Sequence, residues 1–277
     1  MRLYNNPEKQ ERECSKCHQI KPYSEFKSRS DNPMKKRSVC KKCAIKMEAN
    51  RLQMKSWIHK IHAIRFVTND LNRCQICSDI SIDNLPMLDF HHPEPELSTQ
   101  SAREKGFWRS VRYKPWDFIK NELVNQKLNV ICRNCHSKIQ ASFFYEYCDI
   151  IRQINDPNII TSEMISNKIL REEIKAHIRK KIVFLDLWNG KCSSCGFGVN
   201  KNDIENLPAL LIHHQIPELK ENIWHRLRKI PNIEEIKSIL KREFCTCLCD
   251  NCHIMIQSTF FNENKAEIFE RYSSRYC

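Results

Sequence analysis

Cysteine and histidine side chains recur in this chain at spacings typical of metal sites. The densest set has two CxxC pairs, a His-His doublet between them and a histidine directly after the second pair: Cys192, Cys195, His213, His214, Cys249, Cys252 and His253. The same pattern occurs earlier: Cys74, Cys77, His91, His92, Cys132, Cys135 and His136. Because a dense pattern found twice indicates a repeat, we interpret the chain as a duplication of about 55–151 onto 173–270.

The cysteines predict structural zinc. Two thiolates three residues apart can share one tetrahedral ion, and two such pairs complete its shell. A third set lies near the N-terminus, and it consists of Cys14, Cys17, Cys40 and Cys43. The sequence therefore predicts about three Zn²⁺ sites. Disulfides and redox chemistry at a CxxC are the alternatives, and the lack of an apolar N-terminal stretch favours a reducing compartment and metal. His18 is an alternative ligand, and Cys148, Cys245, Cys247 and Cys277 have no assigned role.

The histidines suggest catalysis. A closed four-thiolate site has no vacant position, so the histidines are left for another task. The first doublet follows an apolar strand through 85–90, and neighbouring side chains on a strand point to opposite sides. One imidazole of each doublet can thus join the trailing histidine on a second metal, while the other faces a substrate. An imidazole with a pKa of about 6.5 can deprotonate water, and a metal can stabilise a phosphodiester. An ordinary surface pair is the alternative, which the recurrence disfavours.

Composition indicates a polyanionic partner. The 277 residues carry a net charge of +13, with a pI near 9.1, and nucleic acid is the usual partner of such a chain. The mean hydropathy of −0.59 and the lack of a long apolar run exclude a membrane span. Only four glycines occur, which excludes a Gly-rich phosphate loop. We expect a cytoplasmic protein, associated with the nucleoid if the source is prokaryotic.

Cationic residues interleaved with aromatics lie between each doublet and the closing CxxC pair. The candidate phosphate contacts are Arg103, Lys105, Arg109, Arg112, Lys114, Arg226, Arg228 and Lys229. Lysine and arginine neutralise phosphates, although a solvated face is the alternative. The neighbouring tryptophans, Trp108, Trp116 and Trp224, can stack on bases, but packing within the module is the favoured interpretation.

The elements that carry these residues indicate an α+β fold of small, duplicated zinc-bound modules with connecting helices and an N-terminal zinc ribbon. Helical spacing predicts one or two helices over 44–72, a second helical stretch over 162–188 and a helix over 137–151. An ungapped comparison pairs His59 with His177. The turn-forming segment 155–158 is the best linker. We therefore expect three domains: 1–50, 51–154 and 160–277.

Each repeat resembles a zinc-stapled HNH (ββα-metal) endonuclease. That pattern has Cys-x-x-Cys, then Leu-x-Phe-His-His, then Leu-Cys-x-Asn-Cys-His. Residues 88–92 and 131–136 match it in the first repeat, and 210–214 and 248–253 match it in the second. Residues 14–43 resemble the zinc ribbon often found ahead of phage-type HNH nucleases. The resemblance covers most of the chain apart from the linking helices.

The resemblance implies a two-stranded ribbon and a helix around one catalytic metal in each repeat. It implies that His91 and His213 bind that metal, that His136 and His253 are its second ligands, and that His92 and His214 are general bases. The ion would most often be Mg²⁺, although imidazoles also accept manganese, nickel or zinc. The expected function is metal-dependent hydrolysis of phosphodiester bonds in double-stranded DNA, with oligomers possible but not required. The alternatives are an inactive zinc-dependent nucleic-acid-binding or regulatory protein and an RNA-directed nuclease.

The two repeats depart from the family pattern in different ways. Asp89 in the first repeat is replaced by Leu211 in the second, so the second lacks an acidic residue near the metal. Asn129 lies near the place of the family's middle asparagine, where the second repeat has Thr246. A further histidine found in some relatives is Gln140 and Gln257 here, and Asn134 and Asn251 are interpreted as shaping the zinc knuckles. These departures favour the first repeat for catalysis.

Overall fold

The fold is described by a computed structural model of residues 5–6, 8, 10–28, 36–101 and 106–276. It is an α+β structure of small antiparallel sheets and helices, as predicted, in which four-cysteine clusters recur. The strands are β1 (Asn5–Asn6), β2 (Glu11–Glu13), β3 (Ile20–Pro22), β4 (Phe26–Ser28), β5 (Lys36–Cys40), β6 (Leu88–His91), β7 (Asn129–Cys132), β8 (Leu210–His214) and β9 (Cys245–Cys249).

The helices differ widely in length. They are α1 (Lys41–Thr68), α2 (Phe107–Val111), α3 (Trp116–Asn125), α4 (Arg133–Ile139), α5 (Ser142–Glu146), α6 (Cys148–Gln153), α7 (Lys168–Trp188), α8 (Trp224–Leu227), α9 (Ile233–Arg242), α10 (Asp250–Gln257) and α11 (Thr259–Tyr276). Within the described residues, none of them combines the length and the apolar composition that a membrane crossing requires.

The chain divides into two units, Met1–His59 with Ala266–Cys277 and Lys60–Lys265. The N-terminal cysteine set lies in the first unit, and the cysteine sets of both repeats lie in the second. The division into three domains stays a prediction.

The N-terminal segment folds as short antiparallel ladders. Strands β1, β2 and β3 form one sheet in that order, and β4 pairs with β5. Within the part of this segment that the structure describes, the hydrophobic core has three buried residues: Cys14, Phe26 and Cys40. A core of this size does little to offset the conformational entropy of the chain, so a metal at the four cysteines would add needed stability.

Each repeat is built on a two-stranded antiparallel sheet whose second strand leads directly into a helix. In the first repeat, β6 pairs with β7 from Leu88↔Cys132 to His91↔Asn129, and α4 follows. In the second, β8 pairs with β9 from Leu210↔Cys249 to His214↔Cys245, and α10 follows. The sheet therefore holds the doublet at one end and the closing cysteine pair at the other.

The long helices α1 and α7 precede the two sheets and correspond to each other with a shift. The buried positions Ile58, Ile61 and Ile64 of α1 match Ile178, Lys181 and Phe184 of α7. The first repeat has two more residues between the helix and its first cysteine. The ungapped pairing of His59 with His177 is therefore wrong, because the insertion displaces the helices by half a turn relative to the cysteines.

The two repeats contact each other through matching surfaces. The backbone N–H of Asn134 donates to Oδ1 of Asn251 over 3.1 Å, and the N–H of Asn251 donates to Oδ1 of Asn134 over 3.0 Å. Helix α4 also packs on Leu207–Ala209 of the second repeat, while α10 packs on Ile82–Met87 of the first. An exchange of equivalent contacts is the mark of an isologous interface. Beyond any role in the knuckles, these asparagines join the repeats.

The predicted helix over 137–151 is broken into α4, α5 and α6, whereas the second repeat continues from α10 into the long α11. The predicted linker over 155–158 is ordered by Nζ of Lys181. This ammonium donates to the backbone oxygens of Ile151, Arg152 and Ile154 and to Oδ1 of Asn155. A buried lysine thus caps the C-terminal end of α6.

Candidate metal centres and histidine sites

The twelve predicted cysteine ligands meet in three groups of four. The sulfurs within each group all lie within 4.8 Å of one another. The Sγ atoms of Cys77 and Cys132 are 3.9 Å apart, and those of Cys195 and Cys249 are 3.7 Å apart. A tetrahedral zinc with bonds of about 2.3 Å places its sulfurs about 3.8 Å from one another. The geometry fits zinc, and the described cysteines are free of disulfides.

All three clusters use the same backbone turn after the first CxxC. The residue that follows the pair has a left-handed backbone, with φ of 56° at His18, 60° at Ser78 and 75° at Gly196. Its N–H donates to the carbonyl of the first cysteine in each case. Because only glycine adopts this conformation without strain, Gly196 suits the turn best.

His18 and three of the unassigned cysteines lie outside the four-thiolate groups, and one of these cysteines, Cys148, is buried in a hydrophobic core. Nδ1 of His18 pairs with Oε1 of Glu13 over 3.0 Å, and the imidazole is largely exposed. Cys247 is buried in the core of the second repeat. Cys245 lies instead beside His214 and Glu243. The fourth unassigned cysteine, Cys277, falls outside the described residues.

Backbone N–H groups donate to cysteine sulfurs in the four-cysteine groups of both repeats. The N–H of Cys132 points at Sγ of Cys74 over 3.2 Å, and the N–H of Cys135 points at Sγ of Cys132 over 3.5 Å. Sγ of Cys249 accepts from Cys252 in the same way over 3.4 Å. Donors directed at sulfur stabilise its negative charge, and the cysteine ahead of each helix also acts as its N-cap.

The alternation of the strand separates the two rings of each doublet, as expected. The first histidine of the doublet meets the trailing histidine of its repeat. Ring centroids are 5.2 Å apart for His91 and His136, and 5.4 Å apart for His213 and His253, edge to face in both repeats. Two imidazoles on one ion, each with a bond of about 2.0–2.1 Å, need centroids about 5 Å apart. The two pairs fit a shared divalent metal.

Burial disfavours the charged form of three of these rings, those of His91, His213 and His253. It lowers the pKa of His91, and the neighbouring His136 and His92 lower it further. It also lowers the pKa of His213, and it lowers the pKa of His253, to which His213 adds. A neutral imidazole is the form that binds metal.

Glutamine holds each trailing ring from the following turn of its helix. Nε2 of His136 lies 3.0 Å from the side-chain amide of Gln140, and Nε2 of His253 lies 3.2 Å from that of Gln257. Either end of the amide can face the ring, because amide oxygen and nitrogen occupy nearly equivalent positions. Such outer hydrogen bonds orient metal-binding histidines.

In the first repeat, a carboxylate on the strand that carries the doublet lies beside this pair of rings. Oδ2 of Asp89 lies 3.5 Å from Nδ1 of His136 and accepts from Arg133 over 2.9 Å. Burial alone would raise the pKa of Asp89, but His136 and the charges of Lys60 and Arg133 hold it well below its usual value. Asp89 is therefore ionised, whereas the second repeat has the apolar Leu211 at this position.

The second histidine of the first doublet faces the other side of the sheet. Nε2 of His92 lies 2.6 Å from Oε1 of Gln126, whose amide nitrogen donates to Glu122 over 2.6 Å. Because the contact with Glu122 fixes which end of the amide faces His92, Nε2 of His92 must carry the proton. Nδ1 is then the basic nitrogen.

The second histidine of the second doublet contacts a carboxylate instead. Nε2 of His214 donates to Oε2 of Glu243 over 2.8 Å, and Asn222 donates to both oxygens of Glu243. Burial would raise the pKa of Glu243, but the hydrogen bonds from Asn222 and His214 lower it. A charged acceptor stabilises the imidazolium that forms when a histidine takes a proton.

Gln126 and Glu243 are partners that sequence reasoning missed. Each lies six residues ahead of the first cysteine of the closing pair, at Cys132 and Cys249. A polar residue at this same spacing in both repeats is the sequence feature that could have identified them. The register of the sheets also puts Asn129 opposite His91 and Thr246 opposite His213.

The predicted phosphate contacts differ in their surroundings. Arg109, Lys114, Arg226 and Lys229 are exposed, while Arg112 is half-buried and its guanidinium stacks on the ring of Tyr113. Arg103 and Lys105 lie outside the described residues. The guanidinium of Arg228 donates to both carboxylate oxygens of Glu173, at 2.8 Å each, and is committed to that pair.

The tryptophans of these segments pack within their own repeat, as the favoured interpretation predicted. Trp108 stacks on Phe90 with centroids 5.5 Å apart, and Trp116 contacts His62 at 4.1 Å. Trp224 meets Phe184 edge to face. These contacts assign the indoles to packing.

Comparison with protein-family models, curated proteins and solved structures found no match to this chain.

Proposed function

We propose that the chain is a metal-dependent endonuclease of the HNH type, with one phosphodiester-cleaving site in each repeat. The observation that carries the proposal is the duplicated arrangement of three histidines. In both repeats, one ring of the doublet meets the trailing histidine, and the other ring faces away with its Nε2 held by a side-chain acceptor. The two repeats differ at other positions but keep this arrangement of the three histidines. That retention favours a chemical role for them.

Each group has a role that its surroundings support. Nδ1 of His92 and Nδ1 of His214 would accept the proton of the attacking water, since Gln126 and Glu243 occupy the other nitrogen. His91 with His136, and His213 with His253, would hold one divalent ion. When bound, that ion supplies electrostatic stabilisation of the phosphodiester and its leaving oxygen.

The donor sets favour different metals in the two repeats. Asp89 places a negative charge beside the imidazoles of the first repeat, which suits hard cations such as Mg²⁺ or Mn²⁺. The second repeat has two imidazoles and Leu211, and imidazole prefers later transition metals. We therefore infer that Mg²⁺ alone supports the first site better than the second.

Double-stranded DNA is the proposed substrate. The exposed cations Arg109, Lys114, Arg226 and Lys229 supply phosphate contacts in both repeats. The exchange of hydrogen bonds between Asn134 and Asn251 relates the repeats as an isologous pair would be related. The two strands of a duplex are antiparallel, so paired sites of this kind suit one cut in each strand.

The test is cleavage of supercoiled plasmid with Mg²⁺ or Mn²⁺, against no added metal. Wild type should give linear DNA, while His92→Ala and His214→Ala should each give nicked circles. The double variant should be slower by about 10²–10⁴-fold, the usual contribution of a general base. Zinc content and circular dichroism of each variant establish that it is folded.

The same assay separates the alternatives. If one single variant is as inactive as the double variant, only one repeat is a nuclease. Tight plasmid binding without cleavage would indicate a zinc-dependent nucleic-acid-binding protein. Modified DNA and structured RNA run in parallel would reveal an RNA-directed nuclease.

A further inference from the structure

The second repeat contains another group of metal-ligand side chains, apart from its four cysteines and from His213 with His253. The ligand atoms of His214, Glu243 and Cys245 all lie within 4.8 Å of one another. The side chain of His214 is 9% exposed and that of Glu243 is 2% exposed. The sheet register places Cys245 directly opposite His214. These three groups are therefore gathered in a protected place at the end of the sheet.

The first repeat provides a natural comparison for this group. It has the corresponding His92, but Gln126 stands in place of Glu243 and Leu128 in place of Cys245. An amide is a poor ligand for zinc, and leucine is none. The second repeat thus has a metal-ligand side chain at each of the two positions where the first has a glutamine and a leucine. The sheet of the first repeat forms without such ligands and ends at His91↔Asn129, whereas the sheet of the second extends one pair further, to His214↔Cys245.

The backbone and side chain of Asn222 hold the carboxylate of Glu243 in place, and His214 supplies its third hydrogen bond. A divalent ion between Glu243, His214 and Cys245 would take the place of the Nε2–H contact of His214, while Asn222 would continue to orient the carboxylate from the outer shell.

We propose that Nε2 of His214, the carboxylate of Glu243 and Sγ of Cys245 bind one thiophilic divalent cation of the Zn²⁺ type. One imidazole, one carboxylate and one thiolate form a zinc donor set that leaves a coordination position open. On binding, the thiol proton of Cys245 and the Nε2 proton of His214 leave those atoms, and Nδ1 of His214 takes up a proton. The net release to solvent is one proton.

Occupancy would have a consequence that rests on the proposed nuclease function. An imidazole bound through Nε2 carries its proton on Nδ1, so His214 could no longer accept one from water. Zn²⁺ would thus inhibit cleavage by the second repeat. Cleavage by the first repeat would continue, because that repeat lacks the other two ligands. Zinc would then convert a double-strand cut into a nick.

The site itself is tested without any activity measurement. The full chain is purified with zinc, treated with a weak chelator that leaves four-thiolate sites loaded, and titrated with Co²⁺. Near-ultraviolet thiolate-to-cobalt absorption reports only ions bound to cysteine, so sites made of two imidazoles stay silent. At saturation wild type should gain a band with the intensity of one thiolate-bound Co²⁺ per chain, and Cys245→Ser should lack it. Absence of the band in wild type, or its persistence in Cys245→Ser, overturns the proposal.

A reciprocal exchange guards against variants that misfold. Glu243→Gln with Cys245→Leu gives the second repeat the residues of the first and should abolish the band. Gln126→Glu with Leu128→Cys gives the first repeat the residues of the second and should double it. Cys148→Ser, a buried cysteine outside all these groups, is the control and should leave the band unchanged. No gain in the Gln126→Glu, Leu128→Cys variant would contradict the proposal.

Zinc inhibition then tests the consequence separately. Cleavage by His92→Ala, which depends on the second repeat, should fall with Zn²⁺, whereas cleavage by His214→Ala should not. If no variant cleaves DNA, the nuclease proposal fails while the cobalt result still decides the metal site. Equal inhibition of both variants contradicts selective inhibition of the second repeat.

Discussion

The two repeats place their carboxylates on opposite faces of corresponding strands, β6 in the first repeat and β8 in the second. In the first, Asp89 lies beside His136 on the face of His91, and the other face has the neutral Gln126 against His92. In the second, the face of His213 has Leu211, and Glu243 contacts His214. The first repeat thus has its carboxylate beside the proposed metal ligands, and the second has its carboxylate beside the proposed base.

This difference shows that the duplication kept the framework and varied the electrostatics. Both repeats keep the two-stranded sheet, the four-cysteine group and the edge-to-face rings, whose centroid distances of 5.2 and 5.4 Å differ by a few tenths of an ångström. A metal site and a base both gain from a nearby negative charge, because each develops or holds a positive one. We expect two active sites with different metal demands and different proton acceptors.

The largest effect should be the loss of metal and stability when a cysteine is removed from the four-sulfur group that both repeats share. Cys132→Ser and Cys249→Ser each remove one thiolate from a four-sulfur group. Zinc in small four-ligand sites contributes about 10 kcal/mol at pH 7, so each repeat should lose its metal and its packed structure. Zinc content per chain and thermal unfolding measure this, with Cys148→Ser as the buried control. Loss in one variant only would show that the repeats depend on zinc unequally.

The next largest effect should be on the nicking rate, when the side chain beside a proposed base, His92 or His214, is changed. Glu243→Gln in the His92→Ala background leaves only the second repeat active and removes the charge beside His214. We expect its nicking rate to fall about 10–100-fold, the usual cost of losing a group that supports an active-site imidazole. Gln126→Glu in the His214→Ala background should raise the rate of the first repeat. Equal rates before and after both changes would mean that the charge has no part in the reaction.

Metal preference should shift by a similar or smaller factor. Asp89→Asn in the His214→Ala background should weaken Mg²⁺-dependent nicking about tenfold while Mn²⁺ retains more activity. Leu211→Asp in the His92→Ala background should improve the use of Mg²⁺ by the second repeat. Rates across a titration of each metal measure both changes. Identical metal profiles for the two repeats in their wild-type form would remove the basis of the comparison.

The sequence was sufficient for the parts set by local spacing. CxxC pairs determine which sulfurs can share an ion, and the alternation of a strand determines that His91 and His92 face opposite ways, so both were predictable. The α+β class followed from the same motifs.

Partners set by tertiary packing could not be read from spacing. Gln126 is 34 residues from His92, and the reciprocal pair of Asn134 and Asn251 spans 117 residues. Which polar side chain reaches a histidine over such a distance depends on how α3 and α9 pack on their sheets. The shift between α1 and α7 was missed because an ungapped comparison keeps the cysteines in register but not the helices.

The smallest predicted effect concerns the left-handed residue after the first cysteine pair, where the repeats have Ser78 and Gly196. A Cβ at Gly196 would meet no atom within 4 Å, so Gly196→Ala adds backbone strain and no clash. We expect it to lower the free energy of unfolding by about 1 kcal/mol, and Ser78→Gly to raise it by about the same amount. Urea denaturation of the zinc-loaded chain measures both. A loss of stability in Ser78→Gly would mean that the serine side chain stabilises the turn after Cys77 in a way that glycine cannot. The turns after Cys77 and Cys195 would then be equivalent in their backbones alone.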